Sequence, residues 1–289
     1  MIKDILISLR PRQWAKNIVI FAGLVFSQNF FNPLKASIVF AAALIFCLAS
    51  SSMYLINDIL DIDLDRRHPQ KSHRPIASGQ LGIPITRTVA FVLMIWSFLM
   101  ALSLNKNFFL LLCVYITIQI LYSLYLKNIV ILDVFCIASG FLLRVFCGAV
   151  VIDVPISNWL LICTLFLSLF LALAKRRSEM VLLEEGAGDH RHVLSEYNLA
   201  FIDQMVTIVT ASTILSYVLY TLSPETVTKF HTTNLEYTIP FVVYGIFRYL
   251  YLVYNKKEGG SPEKLLFADK PLLINLILYA VVAVVVIYR

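Results

Sequence analysis

"KASIVFAAALIFCLASSSMYLINDILDIDLD", residues 35–65, opens as an unbroken apolar run and closes with four aspartates inside eight positions. A hydrocarbon core of about 30 Å takes roughly 20 helical residues to cross, and residues 35–55 supply that length. The run is apolar on every side and does not alternate with period two. It therefore reads as a membrane helix, since an open strand in lipid would leave its backbone polar groups without partners.

The same pattern recurs along the 289 residues, of which 59% are hydrophobic and 15% charged, with a mean hydropathy of +0.80. Apolar runs between polar breaks predict nine spans, at about 17–32, 35–55, 85–104, 107–125, 129–152, 157–174, 201–222, 237–254 and 271–288. The expected fold is all-α: a polytopic membrane protein forming one membrane domain over 1–289, with no internal repeat or dividing linker. The segment "LRPRQWAK" before the first span reads as an amphipathic stretch on the membrane surface, with Trp14 as an interfacial anchor and Arg10, Arg12 and Lys16 near lipid headgroups. No small-residue cleavage site follows the first run, so no cleaved leader is expected.

With the N-terminus in the cytoplasm, eighteen of the 24 Lys and Arg fall in cytoplasmic segments. Only Lys35, Lys106, Lys229 and Arg289 fall outside, while Arg144 and Arg248 lie within spans. That asymmetry predicts N-terminus in and C-terminus out, and puts the aspartates on the cytoplasmic side of the cell membrane. The net charge of +6 is accounted for by this bias and by attraction to anionic headgroups, so no nucleic-acid partner is expected. The five cysteines all sit in apolar spans without a C-x-x-C pair and read as small core residues.

The acidic end carries the chemistry. If the helix runs on through Asp65, then Asn57, Asp58, Asp61 and Asp65 share an arc of about 100°, while Asp63 points about 140° away from Asp58. Three carboxylates on one face repel one another and call for a cation. Their hard oxygens suit Mg²⁺, which keeps several waters and is typically shared with substrate phosphates. Acids at a helix C-terminus also oppose the helix dipole, a placement that favours function over stability. The solvated-helix-end alternative pairs them with Arg66, Arg67 and Lys71. Downstream, Lys71 and Arg74 suit phosphate oxygens, and Pro69, Pro75 and Gly79 keep the segment from forming a plain helix. His68 and His73 read as solvated or structural.

Asn57, Asp58, Asp61 and Asp65 match, position by position, the N-D-x-x-D-x-x-x-D motif of the UbiA superfamily of intramembrane prenyltransferases, which this sequence resembles. The likeness extends to "LRPRQWAKN", "YSLYLKNIVILDVF", "SGFLLRVFCGA", "LALAKRRSEM" and "GGSPEKLLFADKPLL". That set is similar to one branch, the decaprenyl-phosphate phosphoribosyltransferases. The resemblance implies a bundle of nine transmembrane helices, catalytic and metal-holding roles for Asp58, Asp61 and Asp65 with Asn57, and Mg²⁺ as cofactor. It implies substrate contacts at Lys16, Asn17, Lys71, Arg74, Tyr122, Lys127, Asp133 and Arg144, and at Lys175, Arg176 and Glu179.

Aromatic prenyltransferases of the superfamily carry a second aspartate-rich motif after the sixth span. Here that place reads "AKRRSEM", with Glu179 the nearby acid. Bases in place of acids imply a donor with an extra phosphate: phosphoribosyl diphosphate, its C5 phosphate held by Lys175 and Arg176. The expected acceptor is a membrane polyprenyl phosphate. Arg144, inside an apolar run, is expected to line the site or to pair with a carboxylate such as Asp133. Two alternatives stand beside this reading. One is an aromatic prenyltransferase such as a 4-hydroxybenzoate polyprenyltransferase; the other is a divalent-cation transporter, disfavoured because no carboxylate recurs deep in several spans.

Overall fold

The computed structural model describes residues 1–67, 71–184, 196–256, 259–260 and 262–289; His68 and Pro69 lie outside them. A short helix α1 (Ile2–Ser8) leads into a 3₁₀ segment (Pro11–Phe21) and α2 (Ala22–Phe26). Then come α3 (Pro33–Leu60), α4 (Ile62–Arg67), α5 (Ile83–Leu104), α6 (Lys106–Leu124), α7 (Leu132–Val150), α8 (Asn158–Glu184) and α9 (Leu199–Leu222). The chain closes with α10 (Pro224–Phe230), α11 (Ile239–Asn255), α12 (Pro262–Ala268) and α13 (Lys270–Tyr288). No strand occurs among the described residues.

Local sequence explains where the long helices start. Asn32, ahead of Pro33, accepts from the Lys35 N–H at 3.1 Å. Asn105 caps α6 by accepting from Asn107 and Phe108, Asn198 caps α9, and Asp269 caps α13. Short oxygen-bearing side chains in these places take up N–H groups that the first turn leaves unpaired.

Seven described helices are long and apolar enough to cross a membrane: α3, α5, α6, α7, α8, α9 and α13. The chain is thus a multi-pass membrane protein. The other two expected spans are shaped differently. Residues 17–32 do not form one α-helix, because eleven residues wind as 3₁₀ before five-residue α2. Residues 237–254 form α11, whose 17 residues follow a 3₁₀ turn at Asn234–Thr238.

The two larger of four apolar clusters among the described residues hold the bundle. One joins α7, α8, α9 and α11 through Val134, Phe170, Leu173, Val206 and Tyr249. The other packs the N-terminal 3₁₀ segment, α3, α6 and α7 around Ile20, Phe46, Ala49, Leu112 and Cys147. Helices come close where side chains are small: the Ser52 hydroxyl of α3 donates to the Ala90 carbonyl of α5 at 2.7 Å. All five cysteines are free thiols, none of them exposed.

Candidate active site

At the C-terminal end of α3 the helix breaks at Asp61 (φ −96°, ψ 11°), but its hydrogen bonding continues. The Asp61 N–H donates to Asn57 O at 2.9 Å and the Asp65 N–H to Asp61 O at 2.8 Å. Helical phase therefore survives the break. Asp58, Asp61 and Asp65 are buried at 4%, 8% and 4% exposure. Asp63 turns away, its side chain 82% exposed and 3.7 Å from Arg66.

Each buried carboxylate has a base. Arg10 pairs with Asp58. Arg74 Nη1 reaches Asp58 Oδ1 at 3.1 Å and Asp65 Oδ2 at 2.5 Å. Lys127 Nζ lies 2.5 Å from Asp61 Oδ1, and the Asn57 amide donates to Asp61 Oδ2 at 2.9 Å. Burying charge is costly unless it is paired and hydrogen-bonded, so these contacts are what let three acids sit inside. The bases come from distant elements. Arg10 is in the left-handed region (φ 53°), where α1 gives way to Pro11, and its guanidinium lies 5.2 Å from the Tyr54 ring. Arg74 comes from the α4–α5 connection, and Lys127 from the 3₁₀ turn Leu126–Asn128 between α6 and α7.

That short turn leads to a second cluster. Asp133, in the first turn of α7, is fully buried and accepts from Arg176 Nε at 2.5 Å and from the Tyr197 hydroxyl at 2.9 Å. Arg176, 1% exposed, also donates to Glu179 Oε2 at 2.5 Å and to the Tyr122 hydroxyl at 3.1 Å. Burial, followed by the nearby Asp133 carboxylate, holds the Tyr197 hydroxyl up at about 12, so it stays a donor. The same hydroxyl accepts from the Ile131 N–H at 2.7 Å. Ile131 itself has φ 69° and ψ −45°, a region a β-branched residue rarely enters. Lys175, next to Arg176, is 37% exposed, with Nζ 4.0 Å from Glu179 Oε1.

One expectation changes here. The Arg176 guanidinium is engaged by Asp133, Glu179 and Tyr122. Asp133 is accordingly no partner for Arg144. The Arg144 guanidinium donates instead to Asn17 Oδ1 at 2.8 Å, Gly140 O at 2.7 Å and the Tyr115 hydroxyl at 3.0 Å. The rings of Phe46, Tyr115 and Phe141 lie within 5.6 Å of it, and no described carboxylate pairs with it. Neutral acceptors and aromatic faces stabilise this buried cation. Asn17, also buried, donates to Cys47 Sγ at 3.1 Å, and Lys16 precedes it on the 3₁₀ segment. Trp14 packs inward on α3, donating to Ser51 Oγ at 2.9 Å.

The UbiA prenyltransferase family model matches residues 17–277. The chain belongs to the UbiA prenyltransferase family. As a family member it is a transferase. It is 31% identical over 285 residues to the decaprenyl-phosphate phosphoribosyltransferase of Mycolicibacterium smegmatis, covering 94% of this chain and 88% of that protein. A 4-hydroxybenzoate octaprenyltransferase of Haemophilus ducreyi is 35% identical over only 109 residues, 37% of this chain and 39% of that one. In fold, the chain is similar to a UbiA homolog from Archaeoglobus fulgidus bound to GPP and Mg²⁺, with a TM-score of 0.74 at 18% identity over 99% and 100% of the two chains.

For a UbiA chain the donor set suits a hard divalent cation: three buried carboxylates and an amide, all offering oxygen. The expected ligand quartet is not gathered as a metal cluster, however. No described group of three such side chains is placed to hold an ion, because Arg10, Arg74 and Lys127 draw the carboxylates toward themselves. Arg10, Tyr115 and Tyr197 were missed as site residues by sequence reasoning. The left-handed residue before Pro11 is the one local signal among them, since proline disfavours helix in its predecessor; the tyrosines carry none.

Proposed function

We propose that this chain transfers 5-phosphoribose from phosphoribosyl diphosphate to a polyprenyl phosphate, giving polyprenylphosphoryl-5-phosphoribose and diphosphate. The observation that carries the reading is likeness over almost the full chain to a decaprenyl-phosphate phosphoribosyltransferase, against a partial match to the octaprenyltransferase. A second support is the base Lys175 where aromatic prenyltransferases of the superfamily have acids. The reaction takes place in one membrane domain, at the cytoplasmic face of the cell membrane, as the distribution of Lys and Arg favours. The 3₁₀ segment with α2, and α11, complete a nine-span bundle. A 3₁₀ helix rises about 2.0 Å per residue, so a stretch too short as α-helix covers more depth.

Asn57, Asp58, Asp61 and Asp65 would hold Mg²⁺, which supplies neutralisation of the diphosphate as it leaves C1. Arg10, Arg74 and Lys127 exchange their carboxylates for substrate phosphates. This keeps every buried charge paired before and after binding. Lys16, Lys71 and Lys175 add charge at the rim, with Lys175 toward the C5 phosphate. The acceptor phosphate oxygen is already ionised at pH 7. It attacks C1 as the bond to diphosphate breaks, with no general base required, and the bases hold it beside a like-charged donor. Arg176, Asp133, Glu179, Tyr122 and Tyr197 brace the rim, while Arg144 and Asn17 fix the N-terminal segment.

Purified protein incubated with Mg²⁺, polyprenyl phosphate and ribose-labelled phosphoribosyl diphosphate should move label into the lipid phase. No labelled lipid, together with prenylation of 4-hydroxybenzoate from a polyprenyl diphosphate, would overturn the proposal.

A further inference from the structure

On the side of α3 away from Asp58, Asp61 and Asp65 lies an open groove between α3 and α5. Ile56 and Leu60 line it from α3, Ala90, Phe91 and Met94 from α5, and Arg87 stands at one end. Ile56 and Leu60 lie about 160° around the helix from Asp58, so the groove is on the reverse of the turn that carries Asn57, Asp58 and Asp61. Its floor is Ala90, 3% exposed, brought against α3 by the Ser52 hydroxyl bond; Phe91 and Leu60 stand out as its walls, 66% and 49% exposed.

Arg87 differs from Arg10, Arg66 and Arg74 at this end of the bundle. Arg10 and Arg74 pair with buried acids, and Arg66 lies by Asp63. Arg87 is exposed, one turn into α5, and makes no ion pair with any described residue. The groove thus offers a cation with no acidic partner at its head and an apolar channel that runs two helical turns, some 10 Å, toward Met94.

We propose that this groove binds an anionic phospholipid of the adjacent leaflet, with its head phosphate on Arg87 and one acyl chain lying over Ala90 between Phe91 and Leu60. Charge decides the occupant. One guanidinium balances the single charge of a phosphodiester head, whereas the phosphate monoester of a polyprenyl phosphate carries nearly two. A lipid seated there presses α3 against α5 behind the acidic turn. The proposal stands on membrane insertion alone and is independent of the reaction catalysed.

Native mass spectrometry of the detergent-purified chain tests it, with phosphatidylglycerol, phosphatidylcholine, polyprenyl phosphate and inorganic phosphate as probes. One Arg near a surface is worth about 1 kcal/mol toward an anionic lipid, so wild type should retain phosphatidylglycerol about fivefold more tightly than Arg87→Gln does. Phosphatidylcholine should not distinguish the two proteins, and inorganic phosphate should not displace the lipid. Phosphatidylglycerol with a photoreactive group midway along its chain should label Phe91 or Met94. Equal retention by Arg87→Gln, displacement by inorganic phosphate, or labelling scattered over other helices would overturn the assignment. So would Arg87-dependent retention of polyprenyl phosphate in place of phosphatidylglycerol.

Discussion

Asp58 and Asp63 are five positions apart and live in different media, one buried between two guanidiniums and the other in solvent. Asp58→Asn and Asp61→Asn should each lower turnover by at least about a hundredfold, since metal-assisted charge stabilisation is worth several kcal/mol. Asp63→Asn should stay within about twofold. Labelled-lipid formation, with gel filtration to confirm folding, checks both, and an Asp63→Asn loss as deep as that of Asp61→Asn would show the face assignment to be wrong. Lys175 and Arg176, adjacent in sequence, should separate in the same way. Arg176→Ala leaves Asp133 buried without its cation, and breaking such a pair costs about 3–5 kcal/mol, read as a large fall in the detergent unfolding midpoint. Lys175→Ala should unfold like wild type but raise KM for phosphoribosyl diphosphate by about one to two decades, the worth of a charge-assisted hydrogen bond. KM for polyprenyl phosphate should barely change.

Among the elements, the N-terminal 3₁₀ segment departs furthest from what hydropathy suggests. Apolar residues report that a stretch is buried in lipid or protein; they do not report how tightly the backbone winds. The winding is tied to α7, where a Cβ at Gly148 would come within 1.8 Å of Ile20 O, and one at Gly23 within 2.9 Å of the Ala149 nitrogen. Backbone lies against backbone at this crossing, and it places Asn17 on Arg144. Gly148→Ala cannot be absorbed by a side-chain shift and should cost about 1–3 kcal/mol or more. Because it moves the segment bearing Arg10 and Lys16, turnover should fall as well. Gly82→Ala meets nothing nearer than Pro84 Cδ at 3.9 Å and should unfold like wild type. Thermal unfolding of the two variants in one detergent makes the comparison.

Across the whole molecule, the legible features were those written locally. Apolar runs yielded the all-helical membrane class, and the spacing of residues 58, 61 and 65 yielded a shared face, because both follow from helical periodicity. What pairs with that face was not legible. Arg10 is 48 residues from Asp58, Lys127 is 66 from Asp61, and Tyr197 is 66 from Ile131. No short pattern records a contact made by folding, so neither the pairing of Arg10 with Asp58 nor that of Arg176 with Asp133 could be read ahead. The two clusters they belong to are joined by the few residues from Lys127 to Asp133, with Ile131 between them. Its positive-φ backbone (φ 69°, ψ −45°) stores about 1–3 kcal/mol that the surrounding contacts must hold in place. Glycine accepts that geometry freely, so Ile131→Gly should raise stability by about 1 kcal/mol after its added chain entropy is counted. Turnover should drop in the same variant, because Lys127 and Asp133 would no longer be held in fixed register. Robustness and speed would then move in opposite directions from a single substitution, and selection for a hardier protein would tend to remove the constraint that keeps the two halves of the site aligned.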